Sequence, residues 1–152
     1  MADLNTWVLV ADSSHATLVE ADRDLERWRL LRDIDHPDGR SKESELTRGS
    51  RGRTSPRNRD AARRAAMAPP TSPQQVEIER FSRELAELLQ QGYDHDQFIE
   101  LMLVAPPEFL GLLRAAIPDT VRGCVTDEIG KNLTKERPTE LMALLRDSRH
   151  TH

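Results

Sequence analysis

The chain has 152 residues, 37% hydrophobic and 32% charged, with a formal net charge of −4 and a single cysteine, Cys124. That length suits a single domain spanning residues 1–152, burying roughly 70% of the surface its extended form exposes; one cysteine excludes an internal disulfide and any multi-cysteine metal site. The start, MADLNTWVLVAD, lacks the basic and apolar regions of a secretory leader, and no apolar run approaches the ~20 residues that span a bilayer, so a cytoplasmic protein without membrane contact is expected.

Thr6 to Asp12 (TWVLVAD) is a short, β-rich apolar run stopped by the turn-forming Asp12-Ser13-Ser14. Ala16 to Ala21 is a second run. Trp28 to Asp35 (WRLLRDID) alternates as a half-buried strand does. The links between them are short, which favours an antiparallel three-strand meander. His36-Pro37-Asp38-Gly39 ends the third strand.

Residues 37–75 hold Gly, Pro, Ser and Arg and little that can enter a core, so a flexible basic loop is expected. Between Arg48 and Arg64 stand seven arginines, Arg48, Arg51, Arg53, Arg57, Arg59, Arg63 and Arg64, against one acid, Asp60. This window carries +6 and leaves −10 on the rest of the chain. A positive loop on an acidic body is the electrostatic footprint of a polyanion or an acidic partner. Arginine favours bidentate phosphate contacts. With no aromatic residue in it, the loop is suited to backbone recognition rather than base stacking. The alternative is a merely solvated basic loop.

From Gln75 the period changes to that of a helix. Val76, Ile78, Phe81, Leu85, Leu88 and Leu89 fall on one face, with Glu77, Glu79, Arg80, Arg83, Glu84 and Glu87 mostly outside. Ser72 is placed to cap it, with Pro73 at its first position, Gln75 at the capping-box position and Gly92 at its end. Phe98 to Ala105 (FIELMLVA) reads as a central strand covered on both faces. Pro106-Pro107 opens a helix that runs to Ile117 and stops at Pro118. Val121 to Ile129 fits a last strand, and Pro138 to Arg146 a final helix with Thr134 or Arg137 near its start. The order β-β-β, long loop, α-β-α-β-α predicts an α/β fold: a mixed five-stranded sheet in order 3-2-1-4-5 with helices on both faces, a ribonuclease H-like arrangement.

Several strings then stand together: TWVLVADSSHA, HPDGR, RGR, ERFSRELAELL, LMLVAPPEFLGLLR and EIGKNLT. In that combination the chain resembles the bacterial host-attachment protein family over nearly its whole length, most loosely across residues 54–72. That family in turn resembles the middle domain of archaeal and eukaryotic class-1 peptide release factors, which implies the same ribonuclease H-like sheet. In those factors the loop after the meander carries a Gly-Gly-Gln tripeptide among arginines. Here the matching loop reads RGSRGRTSPRNRDAARR, and no Gly-Gly-Gln occurs anywhere in the chain. The resemblance therefore implies a basic loop suited to ribosomal or transfer RNA, without peptidyl-tRNA hydrolysis by that route.

Asp12 and Ser13, with Ser14 and His15, fall at the C-terminal end of the first strand, and Ala105-Pro106 at that of the fourth. If those strands are neighbours, this is a topological switch point, where α/β sheets bind ligands and a helix N-terminus favours anions. Asp12, Ser13, His36 and Lys131 are the candidate ligand crevice. Otherwise Asp12 and the serines only build the turn, His36 only ends a strand, and Lys131-Asn132-Leu133-Thr134 is a charged turn with Thr134 capping a helix.

Two-metal phosphodiester hydrolysis needs carboxylates converging from the first strand, the long helix and the end of the fourth strand. Asp12 and Glu77 or Glu79 are available, but the fourth strand offers only Glu100, at its beginning. Nor is there a Gly-x-Ser-x-Gly elbow for a serine nucleophile. Asp94-His95-Asp96 reads as a turn and Cys124 as a small core residue. A non-enzymatic protein with no catalytic residue, metal or cofactor is expected, its partner the ribosome or tRNA, with an acidic protein surface as the alternative.

Overall fold

The structure, a computed structural model, describes residues 4–36 and 72–150. The expectations placed on residues 37–71, among them the seven arginines and the flexibility of their loop, lie outside the described residues.

The elements are β1 (Thr6–Ala11), β2 (His15–Ala21), β3 (Trp28–Asp35), α1 (Pro73–Asp94), β4 (Glu100–Val104), α2 (Pro107–Ala116), α3 (Asp119–Arg122), β5 (Val125–Ile129) and α4 (Pro138–His150). They form one mixed sheet in the expected order β3-β2-β1-β4-β5. The meander pairs antiparallel, and β4 joins β1, and β5 joins β4, in parallel. β1 is buried along its whole length, as a central strand covered on both faces must be. One face packs Trp7, Leu9, Leu18 and Leu103 against Phe81, Leu85 and Leu89 of α1 and Phe109 and Leu113 of α2. The other packs Val8, Val10, Val19 and Met102 against Leu141, Met142 and Leu145 of α4. Each such fully buried side chain contributes about 1.5–3 kcal/mol.

The long helix starts where its chemistry dictates. Ser72 Oγ accepts the N–H of Gln75 at 3.0 Å, and Pro73, whose missing N–H would be unpaired there anyway, opens the first turn. The basic loop therefore stops short of the expected residue 75. The capping box does not close: the Gln75 amide reaches forward to Glu79 Oε2 at 3.1 Å. The buried stripe is also turned from the expected one. Val76 is 39% exposed while Glu77 is 9% exposed, because the first turn faces the end of β3 and its His36 rather than the sheet centre. Gly92 does not end the helix, which runs on to Asp94. A Cβ there would lie within 2.5 Å of Trp7 Cζ3, so this glycine serves close packing.

Val121 belongs to α3, not to the last strand. Pro118 and Asp119 start a single helical turn that buries Val121 against the first core cluster, and β5 begins only at Val125. The fourth strand is likewise shorter than Phe98–Ala105, although Ala105 N–H still donates to the Ile129 carbonyl at 3.0 Å. The expected turn at Asp94-His95-Asp96 is present, with Asp96 at a φ of 54°. Arg149 binds the Arg23 carbonyl at 2.7 Å and Arg146 that of Leu25 at 2.9 Å, fastening α4 to the link between β2 and β3.

Candidate functional site at the carboxyl edge

β1, β3, β4 and β5 run the same way, so their C-terminal ends share one edge of the sheet. That edge also receives the starts of the helices that follow β4 and β5. The β1–β4 neighbourhood makes it the topological switch point that the sequence anticipates, with Asp12 after β1 and Pro106 capping α2 after β4.

Asp12 is the centre of the edge. Its Oδ1 accepts Ser14 N–H at 2.8 Å and Ser14 Oγ at 3.2 Å, which closes the hairpin turn. Its Oδ2 accepts Thr134 Oγ1 at 2.9 Å and Asn132 Nδ2 at 3.3 Å, from the turn after β5. Four donors fill the roughly four lone-pair positions of a carboxylate. Burial pushes its pKa up, but the backbone N–H of Ser14 and the Thr134, Asn132 and Ser14 side chains outweigh that and hold it below the ordinary 3.8. Asp12 is thus an ionised, saturated acceptor. It organises two loops and keeps no lone pair free to take a proton from a substrate.

The Asn132-Leu133-Thr134 turn is fixed from within as well. Asn132 Oδ1 accepts Thr134 N–H at 3.1 Å and stands 2.7 Å from its hydroxyl. That hydroxyl has one proton for two acceptors, and the ionised Asp12 is the stronger. Thr134 therefore does not cap α4. The Arg137 carbonyl instead accepts Leu141 N–H at 2.7 Å.

His36 closes the other side of the edge. Its N–H donates to the Ser14 carbonyl at 2.7 Å, which ties the end of β3 to the Asp12 turn. Its ring lies flat on Phe81, with centroids 4.5 Å apart and planes 5° from parallel. His36 Nε2 is buried, 3.6 Å from Glu77 Oε2, and has no hydrogen-bond partner among the described residues. Arg80 Nη1 approaches the other oxygen of Glu77 at 3.5 Å. The imidazole faces inward, and its surroundings are those of a packing residue.

Of the candidate crevice, then, Asp12 and His36 are joined through Ser14. Ser13 is half-buried in the same turn, and Lys131 is exposed beside Asn132. Glu100 lies at the opposite edge, since β4 begins in register with Thr6 and Val104 with Val10. Among the described residues no group of three His, Cys, Asp or Glu is placed to hold a metal ion. The sequence reading missed the Asp12–Asn132–Thr134 bonds and the burial of Glu77. The KNLT string was a signal for the first; His36, separated from Ser72 by residues 37–71, gave none for the second.

The same edge carries the roots of the arginine segment. His36 is seated on Phe81, the ninth residue of a helix that Ser72 caps. Nine residues of helix span about 13 Å, which roughly five extended residues cover. Residues 37–71 number 35. The connection far exceeds what joining β3 to α1 requires.

The carboxyl edge of this mixed α/β sheet thus holds a saturated aspartate and both ends, His36 and Ser72, of the connection between β3 and α1. The chain matches, over residues 7–145, the model of a family described as proteins required for attachment to host cells, and it belongs to that family. The match runs from β1 into α4. No curated protein matches the chain. Among the described residues no helix is long and apolar enough to cross a membrane.

Proposed function

We propose that this host-attachment family protein is a non-enzymatic, cytoplasmic RNA-directed module that grips ribosomal or transfer RNA through Arg48, Arg51, Arg53, Arg57, Arg59, Arg63 and Arg64. One observation carries the reading: a segment of +6 on a body of −10, inserted where the fold needs only a short link. Its chemistry is phosphate recognition, with counterion release as the main favourable contribution. The resemblance to the release-factor middle domain supports a ribosomal or transfer RNA target, and the missing Gly-Gly-Gln separates this chain from their peptide-releasing chemistry. Asp12, Asn132 and Thr134 act as positioning residues that hold the edge from which the segment leaves.

The family's description favours a second reading, a protein-interaction or attachment accessory whose arginines meet an acidic protein surface. Co-sedimentation with ribosomes and a salt titration of tRNA binding separate the two. The RNA reading expects binding at low salt that falls linearly in log affinity against log salt. No binding to either RNA at low salt removes it and leaves the acidic protein partner.

A further inference from the structure

Two adjoining clefts of about 370 and 280 Å³ form one groove between β3 and α1, and Arg32, Leu88 and Gln91 line both. The floor is apolar. Phe81 and Leu85 are each 1% exposed, and the half-buried Leu31, Ile34 and Leu88 pack against the same core cluster. The two walls differ in charge: β3 supplies Arg32, and α1 supplies Glu84 and Glu87. All three are exposed, and none forms an ion pair among the described residues. Opposite charges thus stand on facing walls without meeting. β3 is also an edge strand with β2 on one side only, so no further strand of the sheet covers this border.

A groove with one basic and one acidic wall is complementary to itself. An anion or a cation entering it would meet one attracting and one repelling wall. A second copy related by a two-fold axis meets two attracting ones, because the axis sets Arg32 of each chain against Glu84 and Glu87 of the other. We propose that this groove is the interface of a two-fold homodimer. Leu31, Ile34 and Leu88 of the two chains supply the apolar contact, and the charged walls fix its orientation. The proposal does not involve the arginine segment and stands apart from the RNA reading.

The test is sedimentation velocity of the full chain from about 1 μM to 1 mM, a range that spans weak and moderate affinities. A reversible monomer–dimer equilibrium is expected. Arg32→Glu, and separately the double change Glu84→Arg with Glu87→Arg, should each weaken the dimer at least tenfold by setting like charges together. Far-ultraviolet circular dichroism should stay unchanged in both. Mixing the two variants should restore the dimer, since every wall then meets its opposite. Replacing Arg51, Arg53, Arg57 and Arg59 by Ser should leave dimerisation intact. A wild type that stays monomeric overturns the proposal, as do groove variants that dimerise like the wild type or a mixture that stays monomeric. A dimer that survives both groove variants and disappears in the four-arginine variant overturns it too, by placing the interface on the arginine segment. Should a charge reversal fail to fold, Arg32→Gln and the paired Glu84→Gln and Glu87→Gln changes decide, each again expected to weaken the dimer.

Discussion

The Thr134 hydroxyl lies 2.9 Å from Asp12 Oδ2 across 122 positions of chain, so the turn after the last strand is fastened to the turn after the first. Asp12→Ala removes the acceptor of four donors, and a loss of roughly 1–3 kcal/mol is expected in urea denaturation at neutral pH. The pH dependence follows from the depressed pKa. The ionised form is favoured in the folded state, so its contribution is complete above about 3.8 and is lost as pH falls through the lower folded value. Asp12→Asn should therefore flatten the acid limb of the stability curve. An unchanged limb in that variant would show that the carboxylate is not held as described.

Gly92→Ala sets two effects against each other. Alanine favours a helix interior by about 1 kcal/mol, but its Cβ would meet the Trp7 ring, and overpacking of this kind costs about 1–3 kcal/mol. Net destabilisation is expected. Combining it with Trp7→Leu should recover part of the loss, and a double-mutant cycle measures the coupling. Simple additivity of the two changes would contradict the contact.

His36→Ala should lower stability by at least the stacking contribution, about 0.5–1.5 kcal/mol, whereas His36→Phe keeps the ring on Phe81 and removes the orphaned Nε2. Thermal melts of the pair are expected to rank Phe above Ala. The reverse ranking would mean that the imidazole nitrogen, not the ring face, is what the site uses.

Replacing Arg51, Arg53, Arg57 and Arg59 by Ser should flatten the salt dependence of tRNA or ribosome binding and leave the melting temperature nearly unchanged. Across about 50 to 200 mM salt the wild type should lose at least tenfold in affinity. Leu103→Ala should do the opposite. It removes a fully buried side chain from the sheet, costs roughly 2–5 kcal/mol, and leaves the salt slope intact. Peptidyl-tRNA hydrolysis is expected of neither variant nor of the wild type. Peptide release in a reconstituted termination assay, abolished by the four-arginine change, would overturn the non-enzymatic reading.

The strand order was legible because its signals are local: short links force a meander, and a continuous apolar run such as Leu101–Val104 demands cover on both faces. What the sequence hid are features set by two distant segments at once. The buried Glu77 looks like a solvent-facing helix position until His36 is placed beside it. Gly92 looks like a helix terminator until Trp7 is laid against it. Val121 has strand propensity, yet Pro118 and Asp119 start a helical turn there. At the site, Asp12 was found from its strand end, but its Thr134 partner required the adjacency of β1, β4 and β5.

The parallel ladder between β1 and β4 joins the part of the chain before residue 37 to the part after residue 71. A proteolytic cut inside the intervening segment would leave two fragments, and that ladder, the Phe81 stack and the Asp12 bonds to Asn132 and Thr134 all cross between them. Those contacts would remain to hold the two fragments together. Trimming the free ends of the cut segment would then strip away the positive charge irreversibly and leave the acidic body assembled as a two-chain complex.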